Sequence, residues 1–548
     1  MEIMPLLRAI LLGLTLLATG CKQYSTVSRI RPAYHSPTPA GHLIATELKH
    51  PASQPLVRMG RYLDAAAAAS AMLRENPGHT TARRDYNFAV SRLFGVIQDA
   101  KLEPWKSPLP CPGARGIWSF SIKADPRPER NPANFDIEPA DLYEFKGTLV
   151  AQRTLKDGLG APLIVISRNI HPEKIDAFAQ GKHIFYGMAG VVDFTGRHCV
   201  ATIHDPLSSE TVTVDGHSYP LAADFSAPLA LALADQKPRS KELDGLFRPD
   251  DFAASTRLAR LQPYDPKKIP VLCIHGLGDS QATWAPMIQA LRGDPTIRKN
   301  YQFWFFSYQS GYPYPLMASV LRRQMDAINA HYPGHKKIVV IGHSMGGMIA
   351  RTLLTDSGMK LWNAIYDQPP GRMPFSPETR KLMTESLIFK HRPEIARVIF
   401  ASPSHQGADL ATTFWGRLGS KLIGSPDDLA RQDPAVLAMT KPGSTGEHLQ
   451  RMPNSIDFLN PENRFVTNLA KLPLAKGIPY HSILGDRGQG GNLNHTEPVS
   501  TDGIVPYWSS HLDGAESEII IPSHHWTNQH PLGIAEVRRI LLLHLRKP

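Results

Sequence analysis

Short apolar runs alternate with amphipathic segments over the second half of the chain. Continuous runs of Val, Ile and Leu predict buried strands, and apolar residues at three- and four-residue spacing predict helices. The predicted strands are 270–274, 301–306, 337–341, 397–401, 478–484 and 518–521, and the main helices are 284–291, 316–331, 345–354 and 534–545. Because strands and helices alternate, the pattern predicts an α/β fold with a mostly parallel sheet and helices on both faces over residues 251–548.

The first half of the chain shows other patterns. Residues 58–100 have helical spacing and predict a helical hairpin, while 101–250 predict a β-rich domain and a linker. Residues 21–57 are rich in Pro, Ser and Thr and predict a tether. One stretch, 60–78, resembles part of a tetratricopeptide repeat. Such repeats need about three copies to bury a shared core, so a plain hairpin is favoured and a peptide-binding array stays the alternative.

The N-terminus has the features of an export signal. Arg8 precedes an apolar stretch that ends in small residues before Cys21. This predicts a signal peptide over 1–20, with ordinary secretion or a core helix as the alternatives. The end of the stretch resembles the lipobox of bacterial lipoproteins, which implies cleavage before Cys21 and lipidation of its thiol. By the same resemblance, Lys22 favours the outer membrane, at its periplasmic face.

Charge and cysteine content narrow the classes of partner. The chain carries 60 Lys and Arg against 49 Asp and Glu, giving a net charge of +11. No run of five like charges occurs, so we expect no nucleic-acid partner and interpret the surface as solvated, with attraction to anionic lipid as the alternative. Cys273 lies in a predicted strand. Cys111 and Cys199 either pair or remain free, which the sequence leaves open.

The predicted strand 337–341 runs directly into Gly342-His343-Ser344-Met345-Gly346-Gly347, and a predicted helix follows. This G-x-S-x-G pattern between strand and helix is a nucleophile elbow. Glycines on both sides leave room for a sharp turn, and the hydroxyl stands above a helix N-terminus that favours negative charge. The sequence therefore predicts Ser344 as a nucleophile.

An acid and a base follow in the order expected for such an elbow. Asp502 lies in the loop after the strand that ends at 484, and Asp486 is the alternative acid. A histidine after the last strand can act as general base, and the doublet His524-His525 offers two candidates, of which His525 is favoured. His275 is interpreted as structural. Other residues are expected outside the site: Asp356, His495, His511 and His530.

Together these motifs resemble esterases and lipases of the α/β-hydrolase superfamily, and in particular the lipase-like group that includes the inositol deacylases of glycolipid anchors. The resemblance covers about residues 265–546. It rests on 275–278, 306–308, 342–347, 401–407, 502–506 and His525. It implies catalytic roles for Ser344, Asp502 and His525, and an oxyanion hole formed by the backbone N–H groups of Leu277 and Met345.

A possible cap lies in residues 357–475, which include Phe414-Trp415 and Phe458-Leu459. Those apolar residues suit an acyl chain or ordinary core packing equally well. We expect a serine hydrolase that cleaves carboxylic esters, namely lipid or other acyl esters, and that needs no cofactor or metal. The alternatives are an acyltransferase, thioesterase or amidase with the same residues, or a membrane-tethered scaffold with a vestigial site.

Overall fold

The computed structural model of the protein describes residues 24–168, 183–236, 256–408, 433–441, 452–487 and 501–546, with single residues at 178, 242, 431 and 492. The predicted signal peptide and Cys21 lie outside the described residues, as do Phe414, Trp415 and His495. The chain divides into two compact units. The first contains the residues up to 237 with the short segments 261–263 and 292–299, and the second contains the remainder.

Twelve strands and four helices are described in the first unit up to residue 236. The strands are β1 Thr26–Arg29, β2 Leu109–Gly113, β3 Gly116–Ile122, β4 Phe135–Pro139, β5 Tyr143–Lys146, β6 Leu155–Lys156, β7 Ala161–Ser167, β8 Phe185–Thr195, β9 His198–His204, β10 Thr211–Val214, β11 His217–Pro220 and β12 Ala223–Asp224. The helices are α1 Pro39–Lys49, α2 Pro55–Glu75, α3 Thr80–Asp99 and α4 Ala227–Gln236.

A six-stranded sheet and three helices share one core in this unit. The sheet order is β2-β3-β9-β8-β7-β4, and only the β3–β9 pair is parallel. Tyr62 of α2 and Phe94 of α3 belong to the same buried cluster as Phe120 of β3. The predicted helical hairpin and the predicted β-rich domain therefore share one core. Cys111 and Cys199 in this sheet are buried free thiols.

The prediction of a tether over 21–57 is wrong for its described part. Strand β1 pairs antiparallel with β5, and α1 follows at Pro39. The residues that suggested a tether are helix-start residues: the Thr38 hydroxyl accepts a hydrogen bond from Gly41 N at 2.9 Å, and Pro39 occupies the first turn. Ser, Thr and Pro are favoured at these positions because the first N–H groups of a helix lack intrahelical partners.

Seven strands and ten helices are described from residue 257 onward. The strands are β13 Arg257–Arg260, β14 Ile269–Ile274, β15 Tyr301–Ser307, β16 Ile338–His343, β17 Ile395–Ala401, β18 Tyr480–Gly485 and β19 Ser517–Ile521. The helices are α5 Ala285–Gly293, α6 Pro295–Asn300, α7 Tyr314–His331, α8 Met345–Thr352, α9 Lys360–Ile365, α10 Pro377–Leu387, α11 Ala435–Ala438, α12 Arg464–Ala470, α13 Tyr507–Ser510 and α14 Pro531–Arg546.

The seven strands form one sheet in the order β13-β15-β14-β16-β17-β18-β19. All pairs are parallel except β13 with β15. The α/β prediction is confirmed, and the six predicted strands are present with small shifts at their ends. Strand β13 was missed because arginines at both of its ends, Arg257 and Arg260, interrupt the apolar pattern. Since chemistry in parallel sheets sits beyond the carboxyl ends of the strands, the loops after β14, β16, β18 and β19 form the candidate site.

Two further features bear on the predictions. The described part of the possible cap contains α9 to α12, while β17 in the same stretch belongs to the sheet. Among the described residues, no helix combines the length and the hydropathy needed to cross a bilayer.

Candidate active site

Ser344 sits at the sharp turn between β16 and α8. Its backbone has φ 53° and ψ −124°, a strained conformation for a residue with a side chain. Glycine is required around it, because a β-carbon on Gly346 would lie 2.2 Å from the carbonyl oxygen of Ile274 and one on Gly342 would lie 2.6 Å from that of Gly346. The strand, the turn and the helix thus fix the direction of the Ser344 hydroxyl.

His525 links Ser344 to Asp502. The Nε2 atom of His525 lies 2.8 Å from Ser344 Oγ, and its Nδ1 lies 2.8 Å from Asp502 Oδ2. All three residues are buried. Because the carboxylate accepts the proton on Nδ1, Nε2 is left as an acceptor for the hydroxyl proton. This geometry allows the imidazole to take a proton from Ser344 as the oxygen attacks an electrophile.

Asp502 is held as a carboxylate. Burial alone opposes its ionisation, but the charge of His525 and hydrogen bonds from His525, Val505 N and Ile504 N outweigh burial and lower the pKa of Asp502. The two backbone bonds to Oδ1 measure 2.8 and 2.9 Å. The carboxylate is therefore charged at neutral pH and stabilises an imidazolium on His525.

Two backbone segments border the Ser344 hydroxyl. Met345 is the first residue of α8, so its N–H is one of the donors that a helix leaves without an intrahelical partner. The loop that contains Leu277 passes close by, since a β-carbon on Gly276 would lie 3.0 Å from Ser344 Cβ. The next residue of this loop, Gly278, donates its N–H to Ser310 Oγ at 2.9 Å. The loop of Leu277 and the start of α8 thus converge on Ser344.

The order of the strands and the position of these residues define the fold of the second unit. A serine follows β16, an acid lies in the connection after β18, and a histidine follows β19. Residues 271–537 match the model of a protein family described as the alpha/beta hydrolase family.

The second unit has the α/β-hydrolase fold.

Solved structures of hydrolases align with part of this chain. A mature lipase from Bacillus licheniformis aligns with 17% identity and a TM-score of 0.31, over 52% of this chain and 97% of the lipase. A phospholipase from Legionella pneumophila aligns with 15% identity and a TM-score of 0.27, over 44% of this chain and 45% of the phospholipase. A comparison with curated proteins found no match.

His343 is a positioning residue that the sequence analysis did not single out. Its Nε2 donates to the carbonyl oxygen of His525 at 2.9 Å, and the two rings lie 5.0 Å apart. The residue before Ser344 therefore holds the backbone of His525. The position of His343 inside the G-x-S-x-G motif is the one sequence signal for its importance. The motif does not indicate which group its ring binds.

The loop after β19 has further anchors in the hydrolase domain. Asn528 Nδ2 donates to Thr283 Oγ1 at 3.1 Å, and the hydroxyls of Thr527 and Ser402 are 3.1 Å apart. All of these side chains are buried. These buried hydrogen bonds, made by two residues that follow His525, restrict the movement of its ring relative to Ser344.

The structure separates the alternative site residues from the three that meet. His524 is exposed, whereas His525 carries both hydrogen bonds. The alternative acid, Asp486, accepts a hydrogen bond from Asn492 N at 3.3 Å. Asp502 is the acid that binds His525, and it also accepts from Val505 N. The remaining candidates have partners outside the site. The ring of His275 stacks on Tyr308, and the carboxylate of Asp356 accepts a hydrogen bond from His391. His511 binds Glu518 and Asp513, and His530 accepts a hydrogen bond from Leu532 N. No group of His, Cys, Asp or Glu in the described ranges has the geometry to hold a metal ion.

Two buried histidines predict acid sensitivity. Burial lowers the pKa of His275 to about 4 and that of His343 to about 3, against an ordinary value of 6.5. As pH falls below 6.5, the unfolded chain binds protons at these rings before the folded chain does, so the free energy of unfolding decreases with pH. At pH 4 the loss is about 3 kcal/mol for each histidine. Thermal unfolding between pH 7.5 and 4.5 should show Tm decreasing toward acid.

His343→Gln separates this effect from general acid unfolding. Glutamine keeps a donor for the His525 carbonyl but does not titrate, so the slope of stability against pH should become shallower. Equal slopes for the variant and the wild type would contradict the assignment of acid sensitivity to this ring.

Proposed function

We propose that the protein is a serine hydrolase that cleaves carboxylic esters. Ser344 Oγ attacks the ester carbonyl while His525 Nε2 takes its proton. The N–H groups of Leu277 and Met345 stabilise the oxyanion, and the alcohol leaves with the proton from His525. Water, activated by the same imidazole, then releases the acid from the acyl-enzyme. The observation that carries the proposal is the line of two 2.8 Å hydrogen bonds from Ser344 through His525 to Asp502.

Apolar side chains near the site favour esters with an apolar acyl group. Trp526 and Leu532, on the loop and helix that follow His525, are 48% and 49% exposed, unusual for such residues. The Trp526 ring lies 6.2 Å from the ring of His525. Lipid or other acyl esters present the kind of group that such surfaces bury.

A fluorophosphonate probe tests the proposal directly. Such a probe reacts with an activated serine, so we expect one covalent adduct on the full chain, located at Ser344 by peptide mass spectrometry. Hydrolysis of p-nitrophenyl esters from acetate to palmitate then gives the preferred acyl length. A folded protein that neither reacts with the probe nor hydrolyses any ester of the series would contradict the proposal and favour a scaffold with a vestigial site.

Trp526→Ala should reduce activity selectively on longer acyl chains. Loss of an apolar contact with the substrate reduces kcat/KM for p-nitrophenyl octanoate by about 10-fold, while the acetate ester changes little. Ile117→Ala is the matched control, because Ile117 is 62% exposed and lies in the first unit. An equal decrease for both esters would show that Trp526 affects the machinery and not the substrate preference.

We also propose that the enzyme is held at the cell envelope, in the outer membrane at its periplasmic face, by a lipid on Cys21. The support is the sequence pattern that ends at this cysteine. Cys21→Ser removes the thiol that carries the lipid, so the variant should move from the membrane fraction to the soluble fraction on cell fractionation. Cys199→Ser is the control that should leave the distribution unchanged, and retention of the Cys21 variant in the membrane would contradict the anchor.

A further inference from the structure

A cavity of about 640 Å³ lies in the first unit, against β1 and the helices α1, α2 and α3. Arginines from three parts of the chain line it, two at the end of β1 and one each from α2 and α3. The charged lining residues are Arg29, Arg31, Arg58, Arg92, Glu47 and Asp99. Four guanidinium groups against two carboxylates leave the cavity with an excess of positive charge.

The two carboxylates are already engaged. Asp99 pairs with Arg29 at 3.0 Å. Glu47, whose side chain is 1% exposed, accepts from Arg61 at 2.7 Å and lies 3.7 Å from Arg58 Nε. Glu47 therefore serves two arginines and binds Arg58 only weakly. The positive charge of Arg58 is incompletely compensated.

The other two arginines also have unused hydrogen-bonding capacity. Arg31 is exposed and has neither an ion pair nor a side-chain hydrogen bond among the described residues. Arg92 is buried and donates through Nη2 to Ser91 and Asp141, yet its Nε has no partner within the same part of the chain. The Nε of Arg58 is likewise buried without a hydrogen bond. A buried donor without a partner is unfavourable, and a ligand that accepts a hydrogen bond from it removes that cost.

We propose that this cavity binds a phosphate oxyanion, a function separate from ester hydrolysis. Guanidinium groups match phosphate oxygens because their planar N–H groups donate in pairs at a fixed spacing. A phosphate monoester carries a charge of about −1.5 to −2 at neutral pH and three acceptor oxygens. That charge balances the excess in the cavity, and the oxygens provide acceptors for the unpaired N–H groups of Arg58 and Arg92.

The phosphate has two possible sources, a free anion or a phospholipid headgroup. Strand β1 begins at Thr26, five residues after Cys21. Five extended residues span at most about 18 Å, so a lipid attached to Cys21 would hold the first unit near a surface rich in phosphate. Both sources present negatively charged phosphate oxygens to the arginines, with a single charge on a phosphodiester headgroup and a larger charge on the free anion.

Isothermal titration calorimetry on the full chain in phosphate-free buffer tests the site. The probes are inorganic phosphate and dihexanoyl phosphatidylglycerol, a short-chain lipid with a phosphodiester, and sodium acetate is the carboxylate control. Arg31→Gln removes an exposed charge without breaking a pair, so the fold is retained and the affinity for the bound probe should fall about 10-fold. Arg84→Gln, an exposed arginine on α3 outside the cavity lining, should bind as the wild type does.

Each result has a defined meaning. Saturable binding of phosphate alone supports a free anion as the ligand, and tighter binding of the lipid supports a headgroup; both support the site when Arg31→Gln weakens them. Arg58→Gln is the second variant and should weaken the same probe. The proposal is overturned if neither probe binds saturably, if acetate binds as tightly, or if both variants bind as the wild type does.

Discussion

Ser344→Ala should reduce kcat for ester hydrolysis by about 10⁶-fold. The substitution removes the oxygen that forms the acyl-enzyme, and loss of the nucleophile in a comparable triad has an effect of this size. The variant keeps the β-carbon, so the strain at φ 53° and the close approach of Gly276 are unchanged. Stopped assays with p-nitrophenyl butyrate at high enzyme concentration give the residual rate.

The fold of this variant can be checked independently. Its Tm should match that of the wild type, and the fluorophosphonate adduct should disappear. Residual hydrolysis above about one hundredth of the wild-type rate, in a variant purified free of host esterases, would show that another group performs the attack.

His525→Ala should decrease kcat by a similar factor, about 10⁶-fold, whereas His524→Ala should leave it within about 2-fold. Only His525 contacts Ser344 Oγ and Asp502 Oδ2. His524 is its exposed neighbour, so the pair of variants compares the same substitution at adjacent positions. Steady-state kinetics at pH 8 measures both.

Exogenous imidazole provides a further check on His525→Ala. The missing ring leaves a space beside Ser344, and a small base in that space should recover part of the lost activity. If His524→Ala were the inactive variant instead, the assignment of the base would be wrong even though the class of enzyme would stand.

The α/β-hydrolase fold could be predicted because the residues that its candidate site needs are also the residues that the turn between strand and helix needs. The turn at Ser344 needs glycine at 342 and 346, and the buried strand before it needs a continuous apolar run. Both requirements are local, so they are visible in the sequence. The choice between His524 and His525 is harder to make from sequence. Adjacent side chains in an extended segment point in opposite directions, so one ring faces the site and the other faces solvent, but the pattern does not indicate which.

The first unit was predicted less well, for two physical reasons. Ser, Thr and Pro are common both in extended linkers and at helix starts, and only the packing of α1 distinguishes the two uses. The pairing of β3 with β9 joins residues about 80 positions apart, such as Phe120 and Cys199, and no local pattern reports such a contact. The hydrogen bond from His343 to the carbonyl of His525 was invisible for the same reason.

That bond has a consequence for how the enzyme tolerates change. The main chain of His525 is bonded to the ring of His343, the residue before Ser344, so one short link adds to the Asp502 bond in holding the imidazole beside the hydroxyl. The segment between Asp502 and the last strand contributes at its start, where the N–H groups of Ile504 and Val505 hold the Asp502 carboxylate that binds His525. We therefore expect an insertion at the exposed turn around Gly514 to disturb the proton transfer less than one beside Ile504 or Val505.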